Sequence, residues 1–164
     1  MWFELRKENL DFISTAPVVH TNGIEIAVPL AGVFSALTNP ATWSEWFPSV
    51  RWASYPSAPP HGVGTIREAH VGSTRWVEQI IAWDVDARWA YTVLRSSVPF
   101  AHAQVESFEL TDQVGRTHIR WTLALEPRLL ARLGAPFAPR AITRVFQRAM
   151  ANLELYLRQR AATA

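Results

Sequence analysis

Residues 29–48, which read PLAGVFSALTNPATWSEWFP, decide the fold of this chain. Asn39 and Pro40 divide the stretch, because asparagine is favoured at a helix N-cap and proline at the first helical position. We therefore expect two short helices in succession. In the second, Trp43, Trp46 and Phe47 have the spacing that places side chains on one helical face. Two helices this short do not form a domain, so their apolar face is expected to close a larger structure.

The segments on either side of this stretch have the signals of β-strands. Residues 18–28 alternate between apolar and polar positions. Segments rich in Val, Ile, Thr, Trp and Tyr follow at about 50–55, 64–71, 75–84, 88–96, 102–111 and 116–126. Their connections are short, which favours an antiparallel meander over parallel strands. In the last strand Ile119, Trp121 and Leu123 alternate with more polar residues, so we expect one face of the sheet to be buried and the other mostly hydrated.

A long amphipathic helix is predicted from about residue 139 to residue 160. Phe146, Met150 and their apolar neighbours fall on one arc, and Arg140, Arg144 and Arg148 fall on the opposite one. The apolar arc can cover the buried face of the sheet. For the arginines we favour a solvated helix face over contact with an anionic surface, because basic runs alone are weak evidence of a partner.

Composition limits the functional classes. The 164 residues are expected to form one domain, and the absence of cysteine excludes disulfides and thiolate sites. A net charge of +2 is too small to predict a nucleic-acid partner. Charges fill the region that a signal peptide would keep apolar, and no apolar run approaches the roughly 20 residues of a membrane span. We therefore expect a cytoplasmic protein without stable membrane insertion.

The N-terminal arm, residues 1–17, is too apolar for a free tail. Its large apolar side chains are Trp2, Phe3, Leu5, Leu10 and Phe12. Some of them are expected to dock on the body of the protein or on a second copy, so a homodimer stays open.

The order of strand, two short helices, antiparallel strands and long helix resembles the START-related helix-grip superfamily, also called SRPBCC. The resemblance is strongest to its polyketide cyclase/dehydrase and lipid-transport branch. It is carried by residues 29–48, Gly62-Val-Gly-Thr65, Glu78, Gly115-Arg-Thr117 and Ala151-Asn-Leu153, and covers about 18–160.

This resemblance implies an α+β helix-grip fold. A curved antiparallel sheet of about six to seven strands would wrap around the long C-terminal helix, with two short helices after the first strand. Residues 1–164 would form a single domain with its core at 18–160, and a cavity would lie between the sheet and the helix.

Large apolar side chains and one acidic residue are the candidates for binding a ligand in this cavity. They are Trp43, Trp46, Phe47, Tyr91, Glu106, Trp121, Phe146 and Met150. Aromatic residues at such spacings are as often core residues as cavity residues. Glu78 matches a glutamate common in members of the superfamily, and strand order makes Arg67 its nearest partner. Glu78, Arg67 and Tyr91 are therefore the candidate catalytic residues, although a structural ion pair is the simpler interpretation of Glu78 and Arg67.

Three functions follow from this resemblance and these residues. The first is binding of a hydrophobic small molecule or lipid. The second is an aromatic polyketide cyclase or dehydrase that uses the polar cavity residues, so the sequence leaves open whether the protein is an enzyme. The third is a protein-interaction module with a filled cavity. No cofactor is expected, and no metal site either, because the five histidines lack metal-ligand spacing.

Overall fold

The computed structural model describes residues 1–129 and 138–163. The strands are β1 (Phe3–Glu4), β2 (Val18–Ile26), β3 (Val50–Ser54), β4 (Ile66–Val71), β5 (Thr74–Asp84), β6 (Arg88–Ser96), β7 (Ala101–Asp112) and β8 (Thr117–Pro127). The helices are α1 (Phe12–Thr15), α2 (Leu30–Thr38), α3 (Trp43–Trp46) and α4 (Ala138–Ala161), with a 3-10 turn at Pro40–Thr42. The predicted strands and the long helix begin and end within two residues of these bounds.

The strands within the described residues form one antiparallel sheet. Its order is β2-β8-β7-β6-β5-β4-β3, and the short β1 pairs with β6 beside this series. Strands β3 to β8 are neighbours in chain order, as the short connections predicted. β2 closes the series by pairing with β8 from Val18↔Leu125 to Ile26↔Thr117.

Helix α4 covers the apolar face of the sheet, as its sequence pattern predicted. Phe146, Ala149, Met150 and Leu153 are at most 2% exposed and belong to the main core. These positions recur with the period of a helix, so they share one buried face. The arginines of the opposite arc are exposed. The α+β arrangement of sheet and long helix is therefore confirmed.

The stretch 29–48 forms the two predicted helical pieces. The indole of Trp43 donates a hydrogen bond to the Leu37 carbonyl at 3.0 Å, which ties α3 to α2. The Trp43 ring lies 4.9 Å from that of Trp46 and 5.7 Å from that of Phe47. Asn39 is the N-cap, as predicted, and its carbonyl rather than its side chain accepts the N–H of Thr42.

The N-terminal arm packs on the body of the protein. The register of β6 with β7 ends at Thr92↔Val105, and the arm fills the gap beyond it. The amide of Leu5 donates to the Leu94 carbonyl at 2.8 Å, and the amide of Arg6 donates to the His102 carbonyl at 2.7 Å. The Leu5 side chain is 7% exposed and joins the main core. The prediction that part of the arm docks is therefore confirmed.

Further along the arm, α1 covers part of the outer face of the sheet. Phe12 is buried there with Val105 and Ala124 in a second, smaller cluster. The prediction of a mostly hydrated outer face is therefore wrong at Ala124, because a side chain from the arm shields it from water.

Candidate ligand-binding cavity

A cavity of about 340 Å³ lies between the sheet and the N-terminal part of α4. Most of its wall is apolar, and its polar side chains come from strands β4 to β7 and from Ser49, just before β3. The lining residues are Trp43, Phe47, Ser49, Val50, Arg67, Val71, Trp76, Glu78, Tyr91, Phe100, Gln104, Glu106, Trp121, Leu123, Leu125, Ile142 and Val145. An apolar wall with a few polar groups is typical of small-molecule sites.

A buried ion pair crosses from β4 to β5 at the inner end of the cavity. Arg67 and Glu78 are register partners on these strands, so their side chains leave the sheet on the same face. The Arg67 Nε donates to the Glu78 Oε2 at 2.5 Å, and both side chains are at most 4% exposed. Each of these buried charges needs the opposite charge beside it, because removing a single unpaired charge from water costs a large free energy.

Three aromatic rings surround the Arg67 guanidinium. Its central carbon lies 4.2 Å from the ring centre of Trp43, 4.8 Å from that of Trp89 and 4.6 Å from that of Tyr91. Ring faces at these distances attract a cation. Burial acts to lower the pKa of Arg67, but the charge of the Glu78 carboxylate and its hydrogen bond oppose this, so the pKa is raised and the guanidinium stays charged. Among the described residues, its Nη1 has no hydrogen-bond partner.

Glu106 is the second carboxyl group of the cavity. Its Oε1 accepts from the Gln104 amide at 2.6 Å, and its Oε2 accepts from the Trp121 indole at 2.8 Å. Burial, followed by repulsion from the Glu78 carboxylate, raises the pKa of Glu106 to about 7, although the Trp121 hydrogen bond opposes this shift. Glu106 can therefore exist as an acid or as a carboxylate near neutral pH.

Tyr91 lies opposite Glu106 in the register of β6 and β7. Burial, followed by the charges of Glu106 and Glu78, raises the pKa of Tyr91 well above its ordinary value. Its hydroxyl therefore stays protonated at neutral pH. The inner end thus combines a permanent cation, two carboxyl groups and a phenol.

The structure brings together most of the residues selected from the sequence. Arg67, Glu78 and Tyr91 line the inner end of the cavity, although this arrangement does not test their role. The other expected binding residues on its wall are Trp43, Phe47, Glu106 and Trp121.

Three residues expected to bind the ligand lie in the core and are absent from the cavity wall. Trp46 is 1% exposed and packs beside Trp43. Phe146 stacks on Trp121 at 5.4 Å, and Met150 has no exposed surface. The cavity lies near the start of α4, so Ile142 and Val145 contribute to its wall instead.

Sequence reasoning missed Trp89, which has no exposed surface and is one of the three rings around Arg67. The signal was present, because Trp89 is two residues from Tyr91 on one strand and side chains at that spacing share a face. Trp76 and Phe100 on the cavity wall were also missed. Trp76 lies near the start of β5 and Phe100 just before β7, where alternation gives the weakest signal.

No group of three histidine, aspartate or glutamate side chains in residues 1–129 and 138–163 is arranged to hold a metal ion. Within the same residues, no helix combines the length and apolar character needed to cross a membrane.

The chain is similar to proteins of one family. The model of the family described as polyketide cyclase/dehydrase and lipid transport matches residues 17–158. An uncharacterized protein from Mycobacterium tuberculosis is 25% identical over 123 residues, which are 74% of each chain.

Two solved structures are similar in fold. A START superfamily protein from Mycobacterium smegmatis has a TM-score of 0.71 and 11% identity, over 86% of this chain and 97% of its own. The Zhui aromatase/cyclase from Streptomyces sp. R1128 has a TM-score of 0.68 and 15% identity, over 88% of this chain and 95% of its own. At these identities the likeness establishes the fold alone, and it confirms the helix-grip expectation.

Proposed function

Since the chain belongs to the polyketide cyclase/dehydrase and lipid-transport family, we propose that it binds a hydrophobic small molecule or lipid in the cavity between its sheet and α4. One observation carries the proposal: an apolar cavity of about 340 Å³ ends at a buried guanidinium whose Nη1 has no partner among the described residues. The apolar wall supplies affinity, at about 25 cal/mol per Å² of apolar surface removed from water. The polar end fixes the ligand's orientation.

The interaction-module hypothesis has less support. It requires a cavity filled by side chains, whereas this cavity falls within the range of roughly 300–1,000 Å³ typical of ligand sites. The exposed arginines of α4 project away from the sheet and add nothing to the cavity.

The proposal is tested with Nile red, a neutral fluorophore that brightens in apolar surroundings. We expect saturable binding by the purified protein, at one site per chain. Leu123→Trp places a larger side chain on the cavity wall and should weaken binding at least tenfold. The matched control is Leu155→Trp on the exposed side of α4, which should leave the affinity unchanged. Equal affinities for the two folded variants would contradict the proposal.

A second candidate function is that of a cyclase or dehydrase, and the protonation of Glu106 favours it. A carboxyl group whose pKa is about 7 can take up and return a proton at neutral pH. In this reaction a substrate carbonyl would accept from Arg67, and Glu106 would remove the proton from the adjacent carbon. Glu78 is then a positioning residue, because its carboxylate already holds the Arg67 Nε.

Proton removal is measured without knowing the natural substrate. In D₂O, the methyl group of 2-acetylnaphthalene should gain deuterium faster with the protein than in buffer, as followed by NMR. Glu106→Gln should abolish this acceleration and still allow Nile red to bind. If the protein does not accelerate the exchange, the enzymatic function is contradicted, whereas the binding function is not.

A further inference from the structure

The inner end of the cavity carries more acid than base. Among the described lining residues, the charged groups are Arg67 on β4, Glu78 on β5 and Glu106 on β7. Arg67 and Glu78 neutralise each other through the 2.5 Å bond. Glu106 has neutral polar contacts with Gln104, Trp121 and Tyr91, so its negative charge is the one left unbalanced when it ionises.

Among the described residues, the elements around Glu106 supply no cation besides Arg67. The groups that face it are Arg67 from β4, Glu78 from β5, Tyr91 from β6 and Trp121 from β8. From α4, the described lining side chains are the uncharged Ile142 and Val145. A charge in this apolar cavity therefore interacts strongly with Glu106.

The same wall has donors that lack acceptors. The Arg67 Nη1 and the Trp76 Nε1 are buried and without a hydrogen-bond partner among the described residues, and both side chains line the cavity. A buried donor without an acceptor is unfavourable. A ligand that brings an oxygen acceptor relieves this deficit, whereas a pure hydrocarbon does not.

From these two observations we infer that the cavity selects apolar ligands with an uncharged oxygen, such as ketones, over carboxylates of the same skeleton. Glu106 is the residue that determines this discrimination. The inference rests on the proposed binding function. An uncharged oxygen accepts from Arg67 without a new charge. A carboxylate accepts equally well, but adds a third negative charge beside Glu78 and Glu106 in a site with one cation.

Two near-isosteric probes isolate the charge. 2-Acetylnaphthalene and 2-naphthoate share a ring system and differ in whether the oxygen-bearing group is ionised. Their affinities are measured at pH 8 by displacement of Nile red, with naphthalene as the probe that lacks oxygen. We expect the ketone to bind at least tenfold more tightly than the carboxylate and several-fold more tightly than naphthalene.

Glu106→Gln should reduce the preference for the ketone to less than threefold, mainly by tighter binding of the carboxylate. The matched control is Glu109→Gln on the same strand. Glu109 faces away from the cavity and pairs with Arg88 and Arg120, so its removal changes net charge equally and should preserve the preference. A carboxylate that binds wild type as tightly as the ketone, or an unchanged preference in Glu106→Gln, would overturn the inference.

A second measurement on the wild type keeps the inference testable if Glu106→Gln does not fold. 2-Naphthoate stays ionised from pH 6 to pH 8.5, so a loss of its affinity across this range reports the ionisation of Glu106. Its affinity should fall several-fold while that of the ketone stays constant. A carboxylate affinity that equals that of the ketone throughout this range contradicts the inference. If Nile red itself does not bind, the proposed function fails and the inference fails with it. If Nile red binds and the ketone does not displace it, only the inference fails.

Discussion

Glu106 can act on a ligand because β7 places its carboxyl group on the cavity wall. Position 106 shares a face with Phe108 and Leu110, so alternation alone predicted an inward carboxyl group. Alternation could not predict its pKa, because the main influences come from other strands: burial in the cavity and repulsion from Glu78 on β5. The interpretation of Arg67 and Glu78 as partners was possible because antiparallel neighbours face each other in pairs.

The raised pKa of Glu106 has a defined effect on stability. Between its ordinary value of 4.5 and about 7, the folded protein retains a proton that the unfolded chain has lost. The free energy of unfolding therefore falls as pH rises through this range, and the lost stability is not recovered above pH 7. The size of the effect is on the order of 1–3 kcal/mol.

We therefore expect Glu106→Gln to flatten the pH dependence of stability. Urea unfolding at pH 5 and pH 8 measures the free energy of unfolding of both proteins. The difference between the two pH values should be smaller in the variant by on the order of 1–3 kcal/mol, because glutamine does not titrate. Glu109→Gln, which alters an exposed ion-pair group, should behave as wild type. A wild-type pH dependence in Glu106→Gln would show that the carboxyl group is ionised throughout.

Helix α3 shows how far an element can be predicted from its sequence. The spacing of Trp43, Trp46 and Phe47 correctly predicted that their rings would meet, and their centres lie 4.9–5.7 Å apart. It could not predict which ring would reach the cavity, because a helix of four residues lies on a curved sheet and its depth depends on side chains from several strands. Trp43 and Phe47 line the cavity, whereas Trp46 lies in the core.

This division predicts different effects of two substitutions. Trp46→Ala should lower the free energy of unfolding by about 3–5 kcal/mol, because it removes a large ring that is 1% exposed. The affinity of the remaining folded protein for Nile red should stay within threefold of wild type. Phe47→Ala should destabilise less, because the ring is only partly buried, and should weaken binding more. Urea unfolding and Nile red titration separate the two effects.

The result that would contradict this division is a loss of Nile red binding in folded Trp46→Ala. Trp46 would then shape the cavity wall by holding Trp43 in place. The distinction between wall and core would not hold for α3.

At the scale of the whole molecule, the least predictable feature is the position of the N-terminal arm. Its apolar residues predicted docking, but a strand of two residues carries no periodicity from which a partner could be inferred. The family match begins at residue 17, so the arm lies outside the part of the chain that the family defines. The long strands and α4 could be predicted because each has a sustained pattern and a single face to bury.

The arm closes the sheet at the point where β6 and β7 separate. Beyond Thr92↔Val105 these strands do not pair, and backbone hydrogen bonds from Leu5 and Arg6 bridge them. Phe100, just before β7, and Gln104 of β7 line the cavity. Deleting residues 2–10 should therefore expose both strand edges and loosen this side of the cavity wall.

Hydrogen exchange and ligand dissociation measure this loosening. In the truncated protein, amides of residues 93–96 and 101–104 should exchange faster, while those in the centre of β8 keep their protection, because local opening differs from global unfolding. Nile red should dissociate faster from the truncated protein. Trp2→Ala is the matched control, since this ring lies over Arg75 and Arg95 and is 38% exposed. If the truncated protein keeps wild-type exchange at both edges, β6 and β7 hold their positions without the arm, and the cavity is complete within residues 17–158.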